Sequence, residues 1–79
     1  MSDEVTTTID VREIPPPLRH STIFNTFDSL SPGQSFMIVA DHNPVPLRMQ
    51  FQVRFREQFS WAYAEEGPEV WRVKIGRTA

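Results

Sequence analysis

The chain has 79 residues and a formal net charge of −2, and it contains no cysteine. This length fits one small domain, and the nearly balanced charge argues against nucleic acid or an anionic membrane as the main partner. The absence of cysteine excludes disulfide bonds and every reaction that needs a thiolate nucleophile.

The amino-terminal segment is polar and acidic, which predicts a disordered tail over residues 1–5 and a single domain over residues 6–79. This segment lacks the basic and apolar regions of a secretory signal. No run approaches the roughly 20 apolar residues that a membrane-spanning helix needs. We therefore expect a soluble cytoplasmic protein with no membrane partner.

Prolines separate the first strand from the first helix. Alternating apolar and polar residues predict a strand over residues 6–12. Three consecutive prolines at residues 15–17 remove backbone donors, so the strand cannot continue, whereas proline is well tolerated in the first turn of a helix. The helix is predicted within residues 18–30, where Ile23 and Phe27 share one face.

A buried strand is predicted after this helix. Residues 31–34 read Ser-Pro-Gly-Gln and end the helix, because glycine accepts a left-handed backbone and proline blocks propagation. Residues 35–40 are a nearly continuous apolar run of strand length, which is typical of a central strand.

Residues 44–56 fit both a strand and a helix. Strict alternation of apolar and polar residues favours a strand. Asn43, however, is placed to cap a helix with Pro44 at its first position, and apolar residues also recur every four positions. We interpret the segment as a helix, which leaves Met49 and Val53 opposite its apolar face.

The last part of the chain predicts a β-hairpin. Aromatic and small residues alternate from Phe59 to Ala64, residues 65–68 turn the chain, and a second alternating strand runs from Trp71 to Ile75. The resulting order is β-α-β-α-β-β, an α+β fold with one mixed sheet and two helices on one face.

Several short motifs occur in one order along the chain: Asp10-Val11-Arg12, Pro15-Pro16-Pro17, Arg19-His20, Ser31-Pro32-Gly33, Asp41-His42-Asn43-Pro44, Pro46-Leu47 and Glu65-Glu66-Gly67-Pro68-Glu69-Val70-Trp71. In this combination the chain resembles the domain-of-unknown-function family DUF2249, a family related to the TusA/SirA sulfur carriers. The resemblance implies a two-layer α/β sandwich with a four-stranded mixed sheet, and it supports the helical interpretation of residues 44–56. Relatives joined to hemerythrin-like domains hint at a redox setting. The sulfur carriers present a cysteine just before a proline, and Pro16 stands there in this chain, so sulfur relay is excluded.

Two turns carry the candidate binding residues, which are Pro16, Pro17, Arg19 and His20 in the first and Asp41, His42, Asn43 and Pro44 in the second. If the first two strands are neighbours, both turns leave the same end of the sheet, where ligands of α/β proteins commonly bind. Arg19 would attract an anionic group, and the histidines can donate or accept hydrogen bonds near neutral pH. We expect a binding or accessory domain that holds a small-molecule or protein partner non-covalently, without a cofactor.

Two alternatives remain open. His20 and His42, with Asp41 beside them, could bind a metal ion or haem, although zinc sites use three or four ligands and the spacing matches no metal motif. Alternatively, His20 packs on or caps the first helix while Asp41 and Asn43 bond to turn backbone. No arrangement of serine and histidine supports nucleophilic catalysis, so we do not predict an enzyme.

Overall fold

The computed structural model describes residues 4–79, which form two helices and one four-stranded sheet. In chain order the elements are β1 (Glu4–Asp10), a 3₁₀ turn (Val11–Glu13), α1 (Pro16–Asp28), β2 (Gln34–Ala40), α2 (Val45–Phe55), β3 (Phe59–Glu66) and β4 (Trp71–Arg77). The predicted α+β order β-α-β-α-β-β is therefore confirmed. Neither helix in this part of the chain is long and apolar enough to cross a membrane.

The sheet is mixed, with strand order β1-β2-β4-β3. β1 and β2 are parallel, whereas β2 with β4 and β3 with β4 are antiparallel. The apolar run in β2 lies at the centre, where Phe36 and Ile38 are fully buried. Asp10 pairs with Val39 in the parallel register, so the segments that follow β1 and β2 leave the same end of the sheet.

β1 begins earlier than predicted. Of the tail expected over residues 1–5, residues 1–3 lie outside the described part of the chain. Val5 instead belongs to β1 and pairs with Ser35 of β2. The hydroxyl of Thr6 adds a 3.2 Å hydrogen bond to the backbone oxygen of Ser35. The first strand therefore gains its early residues from pairing with β2, which the local sequence pattern does not reveal.

β1 also ends earlier than predicted, because the chain turns at Asp10. Its carboxylate accepts a 3.1 Å hydrogen bond from the backbone N–H of Arg12 and bonds of 2.8 and 2.7 Å from the Arg12 guanidinium. Such local bonds compete with a strand ladder, and Val11–Glu13 form a 3₁₀ turn instead. Val11 is redirected into the core, where it is buried.

The prolines begin α1 rather than only preceding it. Pro16 and Pro17 occupy its first turn, where the missing N–H groups would lack helical partners in any case. The helix therefore starts before the predicted residue 18 and ends at Asp28. Ile23, Phe24 and Phe27 form its buried face.

The helical interpretation of residues 44–56 is confirmed by α2. A strand would place Met49, Phe51, Val53 and Phe55 on one face, whereas the helix separates them. Phe51 is fully buried, while Met49 and Val53 remain 59% and 81% exposed. Helical geometry thus buries Phe51 and half-buries Phe55, while Met49 and Val53 can remain exposed to solvent.

The predicted cap of α2 is wrong. Pro44, not Asn43, occupies the N-cap position, and no side chain caps the helix there. The backbone oxygen of Pro44 accepts a 3.1 Å bond from Arg48. The side-chain oxygen of Asn43 instead accepts a 2.7 Å hydrogen bond from the hydroxyl of Tyr63 in β3. The side chain of Asn43 thus bonds to a residue that is distant in sequence instead of capping the helix.

Aromatic rings fill the space between the helices and the sheet. Phe51 lies in the middle, with the rings of Phe24, Phe27 and Phe55 at 5.2, 5.3 and 5.2 Å between centroids. On the sheet side, the ring of Trp61 lies 5.9 Å away. Offset and edge-to-face contacts of this kind stabilise a core beyond the area that they bury.

The predicted hairpin is present, and its strands extend further than the alternating pattern suggested. β3 continues to Glu66 and β4 to Arg77. Tyr63 and Trp71 form an aromatic contact across the two strands, with ring centroids 6.2 Å apart. The hairpin supplies the tyrosine that fixes the turn before α2.

Candidate functional site

A cavity of about 110 Å³ lies at the sheet end where β1 and β2 finish. Its lining consists of Val11, Arg19, His20, Ile23, Ile38, Ala40, His42, Pro44, Pro46 and Leu47. The two turns predicted from the sequence therefore meet around one cavity. Of the residues predicted for the site, Arg19, His20, His42 and Pro44 line it, whereas Pro16, Pro17, Asp41 and Asn43 do not.

The turn at residues 14–17, the proline turn, fixes the position of Arg19. The Nε of Arg19 donates a 2.8 Å hydrogen bond to the backbone oxygen of Ile14, just before the prolines. Pro16 and Pro17 are exposed and restrict the backbone rather than touching the cavity. Arg19 is half-buried, and within residues 4–79 its two terminal nitrogens donate no hydrogen bond. The guanidinium is thus held by one edge and available at the other.

His20 both packs on α1 and lines the cavity. Its ring meets the ring of Phe24 edge-on, with centroids 6.1 Å apart. The residue is nevertheless exposed, and it does not cap the helix, whose N-cap residue is Pro15. Of the alternative in which His20 packs on or caps the first helix, the packing is therefore observed and the capping is wrong.

Asp41 acts on the cavity through His42. Nδ1 of His42 lies 2.7 Å from Oδ1 of Asp41, and both side chains are mainly exposed. The hydrogen bond from His42 holds the pKa of the Asp41 carboxyl below its usual value. An ionised carboxylate accepts but cannot donate, so the shared hydrogen belongs to Nδ1. Nε2 of His42 is then the ring nitrogen that is left to bond to a ligand.

The second turn is held by backbone and side-chain contacts on both sides. The backbone oxygen of Asn43 accepts a 2.8 Å bond from Val45, while its side chain binds Tyr63. Pro44 is buried and forms part of the cavity wall. Asn43 therefore positions the turn through β3. The alternative that its side chain bonds to the backbone of the turn is wrong, because the partner is Tyr63.

Sequence reasoning missed the apolar lining of the cavity. Val11, Ile23, Ile38 and Leu47 are all at least nine-tenths buried and form the cavity floor. Their pattern in the sequence is that of ordinary core residues. The available signal was Ala40, because a small side chain at the carboxyl end of a central strand leaves space at that edge.

A second, shallower recess lies on the helical layer. It encloses about 460 Å³ and is lined by Phe24, Met49, Gln50, Val53 and Arg54. The Arg54 guanidinium carbon lies 4.7 Å from the centroid of the Phe24 ring, a cation–π distance. Met49 and Val53 are exposed here as predicted. The recess contains none of the residues predicted for the site.

For the alternative of a metal site, the cavity offers two histidines as ligands and no third ligand among the described residues. Among residues 4–79, no group of three or more histidine, cysteine, aspartate or glutamate side chains is arranged to hold a metal ion. His20 and His42 are the imidazole groups that line the cavity.

Comparison with known proteins identifies a family but no activity. The family model DUF2249, described as an uncharacterized conserved protein, matches residues 8–77. No curated protein and no solved structure matches the chain. The matched range includes both turns and every residue that lines the cavity.

Proposed function

We propose that this chain, which belongs to the DUF2249 family, is a small binding domain that holds its ligand non-covalently. The site is the cavity between the proline turn and the Asp41–Pro44 turn. The observation that carries the proposal is the meeting of Arg19, His20 and His42 around one cavity at the carboxyl ends of two parallel strands. That end of a sheet is where α/β proteins commonly bind ligands.

Pre-organisation of the site supports a binding role. The Arg19–Ile14 bond, the Asn43–Tyr63 bond and the prolines hold the cavity walls before any ligand arrives. A site that is already ordered loses little conformational entropy on binding. Its fixed cation and hydrogen-bonding groups are therefore available for recognition at small entropic cost.

The proposed relation to the TusA/SirA sulfur carriers concerns the fold and not the chemistry. The chain has no cysteine, and a persulfide can form only on a thiolate. We propose a cytoplasmic location on the same ground, because a chain without disulfides suits a reducing compartment.

Titration of the ¹⁵N-labelled chain with small metabolites and metal ions, followed by amide NMR shifts, tests the proposed function. The amide shifts should cluster in residues 15–20 and 41–46, and the variant Arg19→Gln should show smaller shifts at the same ligand concentration because it binds the ligand more weakly. Arg56→Gln is the matched control, because Arg56 is an exposed arginine outside the cavity. If no compound shifts these two segments, the assigned surface is wrong.

The second candidate function is a redox accessory that binds a metal or haem through His20 and His42. One observation favours it: the Asp41 carboxylate holds Nδ1 of His42, an arrangement that orients metal-binding histidines. Metal uptake by the chain should then be saturable and should disappear in the double variant His20→Ala/His42→Ala. Undiminished uptake in that variant, measured by calorimetry, would reject this function.

A further inference from the structure

We infer that the cavity binds a small monocarboxylate, with the carboxylate on Arg19 and a short apolar tail against the cavity floor. The inference rests on the proposed function and specifies its ligand. Three observations carry it, namely the state of the arginine, the chemistry of the floor and the size of the cavity.

Arg19 is a half-buried cation with one unused edge. Its Nε is bonded to the backbone oxygen of Ile14, and no carboxylate within residues 4–79 forms a salt bridge with it. Asp41 interacts with Arg19 electrostatically, but the short contact of that carboxylate is with His42. The two terminal nitrogens of Arg19 can therefore take both oxygens of a ligand carboxylate, the bidentate geometry that guanidinium favours.

The floor requires an apolar tail. The side chains of Val11, Ile23, Ile38 and Leu47 are hydrocarbon, and these residues are between 0 and 8% exposed. A ligand hydroxyl against this floor would lose its bonds to water without finding a partner. Sugar phosphates and other polyols therefore fit poorly, whereas methyl and methylene groups gain from contact with the floor.

The cavity volume limits the length of the tail. An engineered apolar cavity of about 150 Å³ holds one benzene molecule, which has six carbons. By proportion, about 110 Å³ accommodates four or five non-hydrogen atoms. Acetate and propionate have this size, and longer chains must extend past the exposed rim at His20 and His42. Propionate is the best match because its ethyl group can contact the apolar floor while its carboxylate binds Arg19.

NMR titration of the full chain with propionate tests the inference, with propionamide as the neutral compound of the same shape. Propionate should bind roughly tenfold or more tightly than propionamide, because a charge-assisted pair is lost in the amide. Arg19→Gln should abolish this preference, and Arg19→Lys should restore it only in part, since lysine lacks the planar fork. Arg56→Gln should leave it unchanged.

A second variant tests the tail without touching the charge. Ala40→Val adds two methyl groups at the cavity wall, so propionate should lose affinity more than acetate does. Retention of the native amide spectrum identifies variants that still fold. If propionamide binds as tightly as propionate, or if Arg19→Gln leaves propionate affinity unchanged, the ligand class is wrong.

Inorganic phosphate and hexanoate separate failure of this inference from failure of the proposed function. If phosphate shifts residues 15–20 and 41–46 while propionate does not, the binding site stands and the monocarboxylate class is rejected. If hexanoate shifts them while propionate does not, the site stands and the short tail is rejected. If none of the probes shifts those segments, both the ligand class and the site are rejected.

Discussion

Replacing Tyr63 by phenylalanine tests whether β3 holds the turn that carries His42. The change removes only the hydroxyl, which donates a 2.7 Å hydrogen bond to Oδ1 of Asn43. Both side chains are half-buried, so the free energy of unfolding should fall by about 1 kcal/mol, the usual net contribution of one hydrogen bond. For a domain of this size, the melting temperature should fall by roughly 4–8 °C.

A double-mutant cycle with Asn43→Ala isolates the hydrogen bond from other effects of either change. Urea unfolding should give a coupling free energy of about 1 kcal/mol between Tyr63 and Asn43. Ser21→Ala is the control, because that exposed hydroxyl bonds only within α1, and it should change stability by less than about 0.5 kcal/mol. Hydrogen exchange at the Val45 amide should accelerate in Tyr63→Phe. Zero coupling together with unchanged exchange would refute the reasoning.

Two further predictions concern the core and the Asp41–His42 pair. Phe51→Ala should lower the free energy of unfolding by about 3–5 kcal/mol, because it empties the centre of the aromatic core. Val53→Ala, at a position that is 81% exposed, should cost less than about 0.5 kcal/mol, and equal losses in denaturant melts would contradict this account. His42→Ala should raise the pKa of the Asp41 carboxyl towards its ordinary value, as followed by carboxyl ¹³C shifts, since it removes the main cause of the lowering. Because the folded pKa lies below the unfolded one, the stability from this pair is present above the unfolded pKa and is lost as pH falls through the folded pKa. An unchanged Asp41 titration in the variant would mean that the bond does not form in solution.

Element order was predictable because periodicity and prolines agreed over most of the chain. Residues 44–56 are the informative exception, since the same letters satisfy both periods. What decides between them is how many side chains the fold can bury. A strand would need to bury Met49, Phe51, Val53 and Phe55 together on one face. The two-layer fold gives α2 a narrow buried stripe, which Leu47 and Phe51 occupy fully and Phe55 occupies in part. Periodicity states which groupings are allowed, and the available neighbours select one of them.

Two of the errors share one physical cause, which is that a polar side chain binds a partner other than the one predicted. Asp10 was predicted inside a strand, but its carboxylate binds Arg12 and turns the chain. Asn43 was predicted to cap a helix, but its carboxamide binds Tyr63, which lies in a distant part of the sequence. Propensity rules describe the nearest partner of such a group. They could have indicated the local bond between Asp10 and Arg12, but they could not indicate the bond between Asn43 and Tyr63, which only the folded chain brings together.

The polar half of the candidate site was visible in the sequence, whereas the apolar half was not. Charged and imidazole groups at the carboxyl ends of parallel strands are drawn together by topology alone. A core side chain becomes part of a cavity floor only if a neighbouring position leaves space. Ala40 is such a position, since it ends the bulky run of β2 at the cavity wall. A larger residue there should reduce the cavity while leaving both turns and Arg19 in the sequence, so the proposed binding site depends on a side chain that carries no functional group.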